Sequence, residues 1–128
     1  MQLKVLFIIT AIIAIVFGVL FIIIPAQIYS LYSIESNSAL NYMGQLFGGA
    51  LVGIGLISWG SRNAADSDSR KAIILGFLIA DVIGFIVALI GQLNNIVGDL
   101  GWLTVVIYLL LSLGFAYFQF SKPGSTQG

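Results

Sequence analysis

The chain has 128 residues, of which 59% are hydrophobic and 8% are charged. A soluble domain carries roughly 25% charged residues, so this composition indicates a membrane protein. Five basic residues balance five acidic ones, which leaves no net positive field to attract nucleic acid. Cysteine and histidine are both absent, which excludes disulfides, thiolate and imidazole catalysis and most transition-metal sites.

Four apolar runs follow one another, each close to the roughly 20 residues that cross a hydrocarbon core as a helix. They cover about residues 5–24, 40–60, 72–92 and 101–120. Backbone polar groups must be bonded within a bilayer, and no alternating barrel pattern occurs, so the runs predict helices. The expected fold is an all-α integral membrane protein, a four-transmembrane-helix up-down-up-down bundle that forms a single membrane domain over residues 1–128.

The first run follows Lys4, a pattern that secretory signals share. Its apolar stretch exceeds the roughly 7–15 residues of a signal core, and no A-x-A-like cleavage site follows it. We therefore expect a retained span that ends at Pro25, because proline cannot continue the helical hydrogen bonds. The next segment, "AQIYSLYSI", is apolar enough to form a short helix at the membrane surface.

The basic residues predict the orientation. They precede the first span, follow the fourth, or lie between the second and third: Lys4, Arg62, Arg70, Lys71 and Lys122. The loops on the opposite side contain Glu35 and Asp99 but no basic residue. By the positive-inside rule, both termini and the middle loop face the cytoplasm. Ser67 or Asp68 is expected to cap the third helix and Asp99 the fourth.

Small residues recur along the second and third spans. They are Gly44, Gly48, Gly49 and Gly53 in the second span and Gly76, Ala80, Gly84 and Ala88 in the third. Such residues let helix backbones approach closely where lipid offers no hydrophobic drive for association. We expect the second and third helices to meet along these faces, although the same chemistry could join separate subunits.

One acidic residue, Asp81, interrupts the third span. It lies about ten residues beyond Lys71, which at 1.5 Å per residue is about 15 Å into a core about 30 Å thick. A charge at that depth costs at least roughly 2.5 kcal/mol, so the side chain should face protein or a wet cavity. The side chains at matching depth are hydroxyls, Ser112 and Tyr108 of the fourth span.

Three interpretations of Asp81 are open. Its carboxyl group could form a hydrogen bond that ties the third helix to the fourth. It could contact a basic group or cofactor of another subunit, because the spans contain no basic residue to pair with it. It could also belong to a proton or cation pathway.

A second polar group is predicted near the outer ends of the second and third helices. Gln45, Gln92 and Asn95, with Asn41 and Asn94 beside them, could line an outward-facing pocket for a lipid, quinone or small solute. The simpler interpretation is that these amides meet water close to the headgroups.

Catalysis is not expected. A serine or threonine nucleophile would need an activating base, and every lysine and arginine lies outside the spans. The glycine-rich "GQLFGGALVG" lies within a span and lacks the basic and hydroxyl residues of a phosphate loop. No cofactor and no metal site are predicted.

The chain resembles small four-span prokaryotic membrane proteins of unknown function, loosely the DoxX group. The resemblance rests on Pro25, on "MGQLFGGALVGIGLISW", on the short basic loop and on "GWLTVVIYLLLSLGFAYF". It implies the four-helix fold and a multi-pass location in the cytoplasmic membrane of a bacterium or archaeon.

The predicted function is that of an accessory or scaffolding subunit of a larger membrane assembly, which associates through small-residue helix faces. One alternative is a small oligomeric transporter or proton or cation channel that uses Asp81. Another is a lipid or quinone binding module. The expected partners are membrane lipids and either other membrane subunits or further copies of the chain.

Overall fold

A computed structural model describes residues 2–121 and contains five helices in that range. They are α1 (Leu3–Ile23), α2 (Pro25–Leu31), α3 (Ser38–Ser61), α4 (Asp68–Leu93) and α5 (Gly101–Phe120). All except α2 are long and apolar enough to cross a membrane, and no strand occurs among the described residues. The predicted all-α fold with four long apolar helices is therefore confirmed. Lys122, used above for the orientation, lies outside the described residues.

Proline separates α1 from the short helix α2. Pro25 has no backbone N–H and cannot extend α1, which ends at Ile23, while the Ile24 amide still bonds the Leu20 carbonyl oxygen at 2.8 Å. Pro25 then becomes the first residue of α2, a position where a missing amide hydrogen costs nothing. The helix predicted within "AQIYSLYSI" is thus present as α2.

Helices α1 and α3 pack closely because glycines face each other at the contact. A Cβ atom at Gly48 would lie 2.5 Å from the carbonyl oxygen of Gly18, so only glycine allows this backbone separation. Toward the other end of the pair, the Ser58 hydroxyl donates to the Phe7 carbonyl oxygen at 2.6 Å. The end of α1 therefore packs against the first half of α3, and the start of α1 packs against the last part of α3, so the two helices run antiparallel.

Helices α4 and α5 form the second pair. Gly84 of α4 lies against the ring of Tyr108, and a Cβ atom there would be 2.6 Å from the ring carbon Cζ. The Ser67 hydroxyl caps α4 by accepting a hydrogen bond from the Arg70 amide at 3.2 Å, as predicted. The prediction for Asp99 is wrong. Its backbone carbonyl, rather than its side chain, accepts from Trp102, and Leu100 is the N-cap residue of α5.

The two pairs meet in an apolar core at the end of the molecule where α1 and α4 begin and α5 ends. The buried side chains of this core are Leu3, Leu6, Phe7, Ile74, Leu111, Phe115 and Phe118. Phe7, Phe77 and Phe115 contact one another, with ring centroids 5.4–6.2 Å apart and tilted or edge-to-face geometry. We call these three rings the aromatic floor.

The opposite end is joined by the segment after α2. The amide of Gly98, in the loop between α4 and α5, donates to the Tyr32 carbonyl oxygen at 2.8 Å. The Tyr32 hydroxyl also bonds the Thr104 hydroxyl of α5 at 2.8 Å. These bonds connect the first helix pair to the second without direct packing of long helices, and we call them the loop junction.

The predicted contact between the second and third spans is wrong. Helices α3 and α4 share no extended contact in residues 2–121, because α3 packs on α1 and α4 packs on α5. Gly44 and Gly48 face Tyr29 and Gly18, whereas a Cβ atom at Gly49 would meet nothing within 4 Å. The same is true of Gly53 and Gly76. Small residues indicate faces that permit close approach, but they do not specify the partner helix.

Candidate functional site: a cavity between the helix pairs

A cavity of about 780 Å³ separates the α1–α3 pair from the α4–α5 pair. Phe77 of the aromatic floor lines one end, and Tyr32 and Val97 near the loop junction line the other. The side walls come from all four long helices and are mostly aliphatic and aromatic. Its volume lies within the roughly 300–1,000 Å³ of typical small-molecule sites.

The cavity opens sideways between α3 and α4, where no helix contact closes it. Phe47 of α3 lines it yet is 46% exposed, and Val87 and Ile90 of α4 line it yet are 64% and 53% exposed. The rim of the opening is therefore apolar. In a bilayer such a rim faces acyl chains, so hydrophobic molecules can enter from the membrane.

Two polar atoms deep in the cavity have no hydrogen-bond partner. Thr10 of α1 is only 6% exposed, and its Oγ1 atom is unpaired. Asp81 of α4 is half-buried, and its Oδ2 atom is also unpaired. Thr10 follows Phe7 by three residues and Asp81 follows Phe77 by four, so each lies about one helical turn from the aromatic floor. Because the rings of Phe7 and Phe77 contact each other, the two polar atoms lie at similar depth.

The other hydroxyl groups of the lining are in different situations. Tyr108 packs against Gly84 and lines the same cavity as Asp81. Thr104 is bonded within the loop junction. The Tyr29 hydroxyl of α2 donates to the Leu40 carbonyl oxygen at 3.1 Å, and burial raises the pKa of that phenol. Tyr108 and Asp81 therefore line the same cavity, whereas the hydroxyl groups of Thr104 and Tyr29 form hydrogen bonds within the protein.

Ser112 does not bond Asp81. Its Oγ atom is buried and has no partner, and Ser112 is not among the cavity-lining residues, although its neighbour Leu111 is. The rotation of α5 about its axis directs the Ser112 hydroxyl away from the cavity. Successive residues of a helix differ by only about 1.5 Å in height along its axis, but their side chains differ by about 100° in direction around it. Two residues at similar height can therefore point in different directions.

The outer amides do not line this cavity. Gln45 of α3 donates to the Ile22 carbonyl oxygen at 3.1 Å, at the end of α1. Gln92 of α4 donates to the Gly98 carbonyl oxygen at 3.2 Å, and its Oε1 atom faces Gly101. Asn95 is exposed and has a left-handed backbone conformation with φ of 58°, which asparagine tolerates in a turn. Gln45 thus links α3 to the end of α1, and Gln92 links the end of α4 to the loop before α5.

Two small residues predicted to pack helices line the cavity instead. Ala80 and Ala88 of α4 leave room beside Asp81, where larger side chains would fill the space. The residue that sequence reasoning missed is Thr10. It is the one hydroxyl side chain in the apolar stretch of α1, so it was as visible in the sequence as Asp81.

The chemistry of the site is that of hydrogen bonding in an apolar setting. Within residues 2–121 no three histidine, cysteine, aspartate or glutamate side chains cluster to hold a metal ion. One carboxyl group, two threonine hydroxyls and three tyrosine hydroxyls are the polar side-chain groups of the lining. Such a site suits a molecule that is mainly hydrophobic and carries few polar atoms.

The fold and the cavity together define a small all-α protein with four helices suited to a membrane and an apolar cavity between two helix pairs. The chain belongs to the family described as a domain of unknown function, DUF8292, whose profile matches residues 1–121. No curated protein and no solved structure matches the chain. These comparisons do not show the resemblance to DoxX.

Proposed function

We propose that this protein binds a lipid-like amphiphile in the cavity between its helix pairs. The observation that carries the proposal is an apolar cavity of about 780 Å³ that opens between α3 and α4. A binding module for lipid-like molecules is thereby favoured over catalysis, since the lining offers one carboxyl group and no basic side chain among the described residues.

The size of the cavity is the physical reason that it should be occupied in a membrane. Empty space between apolar side chains costs free energy, because the lining atoms lose the van der Waals contacts that an occupant would supply. A hydrophobic occupant that enters from the bilayer removes this cost, and the sideways opening provides its route.

The orientation belongs to the same proposal. We infer an up-down-up-down arrangement with both termini and the α3–α4 loop in the cytoplasm. The opposed order of contacts in the α1–α3 pair supports alternating helix directions. The positions of Lys4, Arg62, Arg70 and Lys71 support the cytoplasmic assignment. The aromatic floor then lies toward the cytoplasm and the loop junction toward the outside.

The proposal is tested by filling the cavity. Ala88→Phe places a ring among the cavity-lining residues, whereas Ala50→Phe makes the same change at an exposed position of α3 that does not line it. We expect lipid extracted from the purified Ala88→Phe protein to fall several-fold, because the ring competes for the space. The Ala50→Phe protein should retain the lipid of the unsubstituted protein.

Lipid content is measured by mass spectrometry after purification in mild detergent, and thermal unfolding shows whether each variant is folded. Equal lipid in a folded Ala88→Phe protein and in the Ala50→Phe protein would contradict the proposal.

A second candidate function is that of an accessory subunit in a membrane assembly. It is favoured by Gly49 and Gly53, because an added Cβ atom at either position would meet nothing within 4 Å and a partner helix could approach α3 there. Intact mass measurement of the same purified sample tests this candidate, because fixed protein partners would add defined masses. A proton or cation pathway has less support, since Asp81 is the only carboxyl group of the lining within residues 2–121 and the apolar ring of Phe77 lies at the inner end.

A further inference from the structure

We infer that the molecule in the cavity carries a hydrogen-bond-donating end group, a hydroxyl or an amine, that binds between Asp81 and Thr10. This inference rests on the proposed lipid-like occupant and adds its chemical class and its direction. The donating end lies at the aromatic floor, and the hydrophobic body extends toward the loop junction.

The first argument is the position of the unpaired polar atoms. Buried polar atoms in proteins are nearly always hydrogen-bonded, because an unpaired one retains its full desolvation cost. Among the residues that line the cavity, Thr10 and Asp81 carry the buried side-chain atoms without a partner, and both lie about one turn from the floor. Two unpaired atoms at one depth, on helices from opposite pairs, indicate a shared polar partner.

The second argument is the kind of partner that these atoms accept. A carboxyl oxygen accepts hydrogen bonds, and the threonine hydroxyl both donates and accepts. A hydroxyl or amine end group can donate to Asp81 and complete its bonding with Thr10. A ligand with only a carbonyl oxygen could accept a hydrogen bond from Thr10, but it has no hydrogen to donate to an ionised Asp81 carboxylate.

The third argument excludes an anionic end group. The cavity lining within residues 2–121 contains no lysine or arginine, so a carboxylate or phosphate would lie near Asp81 without a counterion. An anion taken out of water without a counterion keeps its desolvation cost, whichever form the Asp81 carboxyl group takes. The anionic headgroups of membrane lipids are therefore excluded from the floor.

The fourth argument concerns the rest of the ligand. Beyond this polar level, α1 presents Ile13 and Phe17 and α3 presents Leu51 and Ile54 to the cavity. These side chains offer no hydrogen bonds, and the hydroxyl groups of Tyr29, Tyr32 and Thr104 are bonded within the protein, so the body of the ligand is mainly hydrophobic. An amphiphile inserted with its polar end deepest matches this distribution.

Four photoreactive probes of equal chain length test the inference. Each carries a diazirine in the middle of a saturated chain, and the end groups are a primary alcohol, a primary amine, a methyl ketone and a carboxylate. The full-length protein in detergent is labelled by each probe, with excess unlabelled alcohol as competitor, and labelled peptides are mapped by mass spectrometry. We expect competable labelling of cavity-lining residues by the alcohol and the amine to exceed that by the carboxylate about tenfold or more.

Two variants test the roles of Thr10 and Asp81. Thr10→Val keeps the shape of the side chain but removes the hydroxyl, and Asp81→Asn replaces the carboxyl group with an amide that can donate. We expect Thr10→Val to reduce alcohol labelling several-fold and Asp81→Asn to abolish the preference for amine over carboxylate. Ser112→Ala is the control, because it removes a buried unpaired hydroxyl group that does not line the cavity. It should leave the labelling by every probe unchanged.

The outcomes separate this inference from the proposed function. If no probe labels the cavity in a competable manner, the lipid-binding proposal itself fails. If all four probes label it equally, or if folded Thr10→Val keeps the original preference, the binding proposal survives and the donor end group is wrong. Thr10→Val keeps the test decisive if Asp81→Asn does not fold.

Discussion

The hydroxyl groups of two buried serines differ in whether they have a partner. Ser58 of α3 is fully buried, and its hydroxyl donates to the Phe7 carbonyl oxygen across the α1–α3 contact. Ser112 of α5 is nearly as buried, but its hydroxyl is unpaired. A paired buried hydroxyl adds stability, whereas an unpaired one retains only its desolvation cost. The two residue types are identical, so the difference arises entirely from their surroundings.

Alanine substitution should therefore change stability in opposite directions at these two positions. We expect Ser58→Ala to lower the free energy of unfolding by about 0.5–1.5 kcal/mol and Ser112→Ala to raise it by about 1 kcal/mol. Thermal unfolding in one detergent measures both, and each variant is the control for the other. Destabilisation of equal size at both positions would show that Ser112 has a partner.

Two adjacent glycines of α3 lie on different faces of the helix, and one of them packs against α1. Gly48 is buried against the backbone of Gly18, whereas a Cβ atom added at Gly49 would meet nothing within 4 Å. Two consecutive positions differ by about 100° around the helix axis, so they lie on separate faces. Only one face of the glycine-rich helix is used within the chain. The face that contains Gly48 is the one used, because α1 has Gly18 at the same height.

Alanine scanning of this pair tests the packing. A Cβ atom at Gly48 would lie 2.5 Å from a backbone oxygen and 3.0 Å from Ile22, so the helices must separate. We expect Gly48→Ala to destabilise the protein by about 2 kcal/mol or more, as overpacking does. Gly49→Ala meets no neighbour within 4 Å and should leave stability unchanged or raise it by up to about 1 kcal/mol. Thermal unfolding measures both, and similar losses would contradict the α1–α3 contact.

At the scale of the whole molecule, two tightly packed helix pairs are joined mainly at their ends. The aromatic floor joins them at one end, and the loop junction joins them at the other through Tyr32. Between these connections the pairs stand apart, which creates the cavity and leaves α3 and α4 unpaired with each other. The architecture thus places an acidic side chain beside an apolar space between the two helix pairs.

The orientation of the whole molecule is testable because the chain contains no cysteine. Ser69→Cys lies at an exposed position near the start of α4, and Glu35→Cys lies at an exposed position between α2 and α3. The positive-inside rule predicts that a membrane-impermeant maleimide labels Glu35→Cys in intact cells and Ser69→Cys only after permeabilisation. Labelling of both variants in intact cells, or the reverse pattern, would contradict the proposed orientation.

The sequence by itself determined the number of long helices and their bounds to within a few residues. These properties depend on local chemistry, because an apolar run of about 20 residues is favoured in lipid whatever its neighbours are. Pro25 likewise ends α1 through its missing amide hydrogen. The bounds of the fourth span, residues 101–120, agree with those of α5.

Only the tertiary structure decided which helices pair and what Asp81 faces. The glycine faces of α1, α3 and α4 are chemically alike, so composition could not show that Gly48 meets Gly18 rather than a glycine of α4. Depth along one helix also says nothing about its rotation relative to another. That rotation directs Ser112 away from Asp81 and brings Thr10 to the same cavity, since side-chain direction between packed helices is set by their mutual contacts.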